Sequence, residues 1–215
     1  MLTYEDITKN QAIRTYIIRA DESLAALGFT EHSFAHVAHV AETAGYILKT
    51  LGHDERTIEL AKIAGYLHDI GNLVNRTIAM TNKYFGGVVE NKGCAESVDS
   101  ELIGEALESV KKVDKLMEQF HVADSLDAII SLARRCNKYI DETAPWALAK
   151  DEANSARLSA VLYNLLECIR LLGIMLTPII PDSSKSIKEQ LGCECAELEF
   201  GVVDSYSVGE AKPLF

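Results

Sequence analysis

The sequence predicts an all-α protein, a helical bundle, and three observations carry that prediction. Only four prolines and thirteen glycines interrupt 215 residues, so long stretches are free of the two residues that break helices most effectively. Apolar side chains recur three and four residues apart through most of the chain, the spacing that gives a helix one buried face. Nowhere does polar–apolar alternation last long enough to specify a strand.

Taken in order, residues 10–27 place Ile13, Ile17, Leu24 and Leu27 on one helical side, and Gly28 follows as a stop. A second helix spans 31–51 and ends at Gly52. Asp54 has the short carboxylate side chain of a good N-cap, and a third helix starting at Glu55 carries Ile58, Ala61, Ala64, Leu67 and Ile70. One glycine costs a helix about 1 kcal/mol, so Gly71 does not stop it, and it extends to about Tyr84. The glycines of FGGVVENKGCAES make 85–97 a loop. Helices resume over 98–120, 122–141 and 152–177, the last ended by Pro178 and Pro181. A short helix follows, starting at Ser183 or at Ser186, whose spacing to Glu189 is that of a capping box, and Gly192 ends it. The tail, 193–215, reads as irregular.

Apolar residues make up 48% of the chain, too many for a disordered protein and enough to fill a core. The formal net charge is −11, and the acid excess is spread over both ends: 1–70 holds 6 Lys and Arg against 10 Asp and Glu, and 71–215 holds 15 against 22. Neither part is the basic surface of a protein that grips nucleic acid mainly through phosphates. Any RNA contact therefore rests on a few base-reading side chains and a local basic patch. Five cysteines without a paired framework, behind a polar and acidic N-terminus, point to a reduced, cytoplasmic setting. Cys193-Glu194-Cys195 is a lone C-x-C, short of the four ligands of a structural metal site. The longest apolar stretch, 157–180, carries Asn164, Glu167 and Arg170 on a common side, which argues for a bundle helix rather than a membrane span.

Two groups of residues carry chemistry. In the front segment His36 lies on the second helix and His68-Asp69 on the third. Imidazole and carboxylate suit a divalent ion, which can activate water for attack on a phosphate ester. The surrounding text, EHSFAHVAHVAE and then LAKIAGYLHDIGN, resembles the HD-domain phosphohydrolases, whose ligand series is His, His-Asp and a distant Asp. The resemblance covers residues 1–70 and implies that His36, His68 and Asp69 fill the first three positions around a weakly held Mn, Fe, Zn or Mg ion. Asp124, in HVADSLDAI, stands at a tolerable spacing for the fourth, and reads more readily as a carboxylate on a helix surface.

In the rear segment Asn72 and Arg76 are four residues apart and project from one helix face. Arg offers a fork of donors, and Asn both donor and acceptor, which suits the Watson–Crick edge of an unpaired base. Trp146, the only tryptophan, follows Pro145 at a helix start, where it can act as a stacking plate. Residue type alone favours a solvated helix face for the first two and a half-buried packing residue for the third. The blocks GNLVNRTIAMTNKYFGG, LARRCNKYIDETAPWALAKDE, RLSAVLYNLLECIRLLGIMLTPIIPDSSKSIKEQLG and VGEAKPLF reverse that weighting. In this order they resemble the C-terminal anticodon-binding domain of methionyl-tRNA synthetase across 71–215, and NKYIDETAPW is the most specific of them. The resemblance implies that Asn72, Arg76 and Trp146 read the anticodon loop of methionine tRNA. Arg134, Arg135 and Lys138 form a phosphate patch or, equally, a solvated face.

The two resemblances meet in HDIGNLVNR, so the expected organisation is a partial HD segment over 1–70 and a helical anticodon-binding domain over 71–215, sharing one junction helix. No HIGH-like or KMSKS-like element and no nucleotide-binding βαβ pattern is present. The expected activity is tRNA binding without aminoacylation, with no membrane or DNA partner. The alternative is an HD-type metal-dependent phosphohydrolase.

Overall fold

The computed structural model describes residues 3–9, 34–66, 68–93 and 96–214. The helix expected over 10–27 and the start of the one expected over 31–51 lie outside them. Within them the chain forms α1 (Tyr4–Lys9), α2 (Phe34–Thr50), α3 (Glu55–Tyr66), α4 (His68–Phe85), β1 (Val88–Glu90), α5 (Ser97–Glu118), α6 (Val122–Thr143), α7 (Pro145–Leu148), α8 (Ser155–Leu176), α9 (Pro181–Leu191) and β2 (Ser205–Ser207). A short 3₁₀ turn, Glu152–Asn154, leads into α8. The all-α expectation holds, but the single helix expected from Glu55 to about Tyr84 is two, α3 and α4, with residue 67 outside the described residues; α4 runs across residue 71. Asp54 caps α3 as expected, accepting from the Thr57 amide at 3.0 Å.

Helix α8 organises the bundle. Every residue from Arg157 to Gly173 is buried, because α4, α5, α6, α7, α9 and β1 pack around it. A helix with apolar residues on every side has to be covered on every side. Its length and composition would suit a membrane, but its apolar window is 94% buried inside the protein. Around it, α5 turns in Leu102, Ala106, Val110 and Val113, and α6 turns in Leu126, Ile129, Ala133, Cys136 and Ile140. Each set follows the three- and four-residue spacing of one helical face. Only three residues separate α5 from α6, a length that sends the second helix back along the first. The middle one, Phe120, sits in the left-handed region with φ of 59°.

Buried charge on α8 is paired rather than apolar. Glu167 and Arg170 are both almost fully buried, joined at 3.0 Å. Their remaining valences are met by the tail: Arg170 donates to the carbonyls of Glu197 and Glu199, and the Gly201 amide and the Tyr206 hydroxyl donate to Glu167. Burial and the Glu167 carboxylate push the Tyr206 phenol well above its ordinary range. Breaking such a pair from one side costs about 3–5 kcal/mol, since it strands a buried charge.

Two further expectations need correction. First, the loop at 85–97 and the irregular tail contain strands: β1 and β2 pair antiparallel, with Val88 opposite Ser207, Val89 opposite Tyr206 and Glu90 opposite Ser205. Three residues per strand are too short to show alternation, and the partners are far apart in sequence. Second, the capping box at Ser186 and Glu189 does not form. The helix begins earlier, at Pro181 in the first turn, and the Ser186 hydroxyl accepts from the Gln190 side chain inside it. A capping box does form four helices earlier, where Glu96 and Asp99 bond each other's backbone at the start of α5.

At the front, α2 and α3 pack with Ala41 and Ile63 buried between them. A Cβ on Gly65 would lie 2.8 Å from the Ala41 Cα, so the two backbones touch at that point. α1 rests on α3, with the Tyr4 amide bonded to Glu59 and Lys62 5.1 Å from the Tyr4 ring centre.

Candidate functional site

Helix α4 buries Ile70, Leu73, Val74, Thr77, Ile78 and Thr81 against the bundle. That face leaves Asn72 and Arg76 exposed on the other side, one turn apart. Neither has a role in the core, so both donor sets point to solvent.

The second part of the site is the far end of α6. Tyr139 is fully buried, and its hydroxyl donates to Asp99 at 2.6 Å and accepts from the Asn164 amide at 3.3 Å. Arg157 grips the same Asp99 with two nitrogens, at 2.6 and 2.9 Å, and its Nε lies 3.2 Å from Glu96. Burial pushes the Asp99 carboxyl up, but the bonds from Arg157, Tyr139 and the Glu96 amide outweigh it and hold the group below the usual carboxylate range. The start of α5, the start of α8 and the last turns of α6 are thereby tied together. Beyond Tyr139, the Thr143 hydroxyl donates back to the Tyr139 carbonyl at 2.7 Å. Ala144 then takes the left-handed conformation, with φ 43° and ψ 64°, Pro145 is buried, and Trp146 emerges 45% exposed. NKYIDETAPW thus combines an internal anchor, a chain reversal and a displayed indole.

A charge on the first part is felt at the second. Asp141, one turn before the reversal, has its carboxyl pushed up by burial, pulled down by the Arg76 charge and raised again by Glu142. Arg76 on α4 is therefore within electrostatic reach of the helix end that carries Trp146. Asp141 is a neighbour that residue type did not single out, although it stands inside the motif. Asp99 and Arg157 left no signal at all, since they lie on two other helices and only folding makes them partners.

Arg135 is not part of a phosphate patch. It is 8% exposed and bonded at 3.0 Å to both Glu105 and Glu142. Lys138 is exposed but 3.4 Å from Glu142, and Arg134 is half-buried. Arg135 ties α6 to Glu101 and Glu105 of α5, while Lys138 pairs within α6.

Of the metal candidates, His36 lies in α2, and its side chain is outside the described residues. His68 Nε2 stands 3.6 Å from Asp69 Oδ1, and its Nδ1 is 2.9 Å from the Gly65 carbonyl, a contact that requires the proton on Nδ1. Asp124 is not gathered with them. It is exposed and 3.4 Å from His121, and no group of three His, Cys, Asp or Glu able to hold an ion occurs among the described residues. The structure also shows Cys193 and Cys195 as free thiols.

Comparison with known proteins agrees with the helical architecture. Residues 89–206 match the family model for the anticodon binding domain of methionyl tRNA ligase. The chain is 46% identical over 132 residues to the methionine–tRNA ligase of Clostridium perfringens, covering 61% of this chain and 20% of that protein. With the Bacillus subtilis enzyme it shares 40% over 156 residues, 69% of this chain and 24% of that one. It thus spans about a fifth to a quarter of the curated relatives it matches. The free Mycobacterium tuberculosis methionyl-tRNA synthetase superimposes with a TM-score of 0.66 at 26% identity, over 76% of this chain and 34% of that one. Its methionyl-adenylate complex gives 0.65 at 25%. The matched span contains Trp146 and the α6 anchor, while Asn72 and Arg76 precede it. The chain belongs to the family of anticodon-binding domains of methionyl tRNA ligase.

Proposed function

We propose that this chain binds methionine tRNA by its anticodon loop, with Trp146 stacking on one unpaired base and Asn72 and Arg76 bonding to base edges. The observation that supports it most directly is Trp146 held 45% exposed at an internally anchored helix end, whose Asp141 feels the charge of the exposed Arg76. Stacking needs a flat ring open to a base, and edge reading needs donors free of core duties. The acidic surface restricts phosphate contacts, so affinity of the isolated chain is micromolar or weaker. The test is an anisotropy titration with methionine tRNA and with the same tRNA carrying a changed anticodon. Preferential binding of the first supports the proposal, and equal binding at moderate salt sinks it.

Residues 1–70 we read as a segment of HD-domain origin, joined at 71 within α4. His68 beside Asp69, with the ring oriented by the Gly65 carbonyl, is the feature that supports this. Two described donors hold a Mn, Fe, Zn or Mg ion only weakly. A chain with such a pair purifies with well under one equivalent of metal by elemental analysis and has phosphatase activity near background. A full equivalent that is lost in Asp124→Ala would refute that reading.

A further inference from the structure

We propose that Ala144 is a positioning residue: its left-handed backbone at the joint between α6 and α7 fixes the direction in which Trp146 leaves the bundle. The inference rests on the reading of Trp146 as the base-stacking ring. At φ 43° and ψ 64°, Ala144 occupies a conformation that L-residues other than Asn and Asp avoid, because Cβ crowds the following carbonyl. Glycine is the usual residue where a helix ends this way.

The surroundings show how an alanine is kept there. Its amide donates to the Ile140 carbonyl at 2.9 Å, closing the last turn of α6, and its carbonyl accepts from Ala147 at 2.7 Å and Leu148 at 3.2 Å, opening α7. The next residue is a buried proline, whose ring sets its own φ. One residue therefore closes one helix and starts the next, and Trp146 is the first side chain beyond it to reach solvent. Glycine at 144 would accept the same geometry without crowding. It would also open several neighbouring wells that a Cβ forbids. A strained residue kept where glycine fits without strain gives up stability and retains a fixed direction. For an indole that has to meet a base face to face, a fixed direction lowers the ordering cost of binding.

The experiment compares Ala144→Gly and Ala144→Asn with the parent chain. Trp146 is the only tryptophan, so its emission reports on this joint alone. Ala144→Gly is expected to keep or raise the melting temperature, to increase acrylamide quenching and lower the anisotropy of Trp146, and to weaken methionine tRNA binding about two- to tenfold, the loss expected for one side chain left to be ordered on binding. Ala144→Asn, which tolerates the left-handed region while keeping a Cβ, is expected to restore parental quenching, anisotropy and affinity. Unchanged anisotropy and quenching in Ala144→Gly would overturn the proposal whatever the RNA does. So would a lowered melting temperature that accounts for the binding loss, or an Ala144→Asn chain as loose as the glycine one. Trp146→Ala separates the two ideas. If it leaves tRNA binding intact, the anticodon reading fails, while the fluorescence arm still decides the role of Ala144.

Discussion

As the stacking ring proposed above, Trp146 would need both an apolar ring in contact with water, which its 45% exposure provides, and a backbone rigid enough to aim it. The bundle meets both by burying Pro145 beside it and anchoring Tyr139 behind it. Removing the ring in Trp146→Ala should cost roughly 1–3 kcal/mol of tRNA affinity, the worth of stacking one base, measurable by titration. Arg76→Ala should act differently, narrowing the gap between the matched and the changed anticodon rather than lowering both affinities alike. Asp99 makes a prediction of another kind. Its folded carboxyl is held below the ordinary value, so it adds stability that is complete above about pH 4, the unfolded value. That stability is lost as pH falls from there through the folded pKa. Urea midpoints collected between pH 2 and 6 should therefore fall less steeply in Asp99→Asn than in the parent, and the mutant should be weaker at neutral pH. A parallel pair of curves would refute the role given to this group.

Among the elements, the ribbon shows best how small pieces are fixed by close approach. Gly192 ends α9 at φ +62°, and a Cβ there would overlap the Ser207 carbonyl oxygen of β2. Crowding a main-chain atom cannot be relieved by a rotamer change. Gly192→Ala should therefore cost about 2 kcal/mol or more, from the left-handed backbone and the overlap together, seen as a lower denaturation midpoint. Gly86, also at positive φ but with open space around it, should tolerate the same change with a smaller loss. The same view explains the capping error at α9. Ser186 and Glu189 satisfy the local pattern, but Pro181 already supplies a preset φ one turn and more earlier, and the helix takes the first start available.

For the whole molecule, charge sets the terms of RNA binding. The chain carries −11, and two cations of α6 are engaged: Arg135 by Glu105 and Glu142, Lys138 by Glu142. Few phosphates can then be neutralised. The logarithm of the tRNA binding constant should fall with the logarithm of salt with a slope of only about −1 to −2, equivalent to two or three released counterions on a single strand. A slope several times steeper would mean that a basic surface elsewhere does the holding, and would move the site away from Trp146.

Local information was enough for everything that depends on spacing. The buried faces of α4, α5 and α6 follow from three- and four-residue periodicity and the Asp54 cap from its side chain, while Asn72, Arg76 and Trp146 come from the family resemblance and their role is the proposal above. Arg157 could be read as part of an apolar run, but not as the partner of Asp99. The positions 58 apart in sequence meet only when α8 is enclosed. Arg135 is open to reading as a phosphate contact or a solvated face because charge in a sequence has no direction; packing α6 on α5 turns it inward to three carboxylates. The ribbon of β1 and β2, the tail closing over Glu167 and Arg170, and the reversal at Ala144 that aims Trp146 were decided by tertiary structure. Each depends on groups brought together across the fold, where burial makes an unpaired charge costly and leaves a chain only the conformation its neighbours permit.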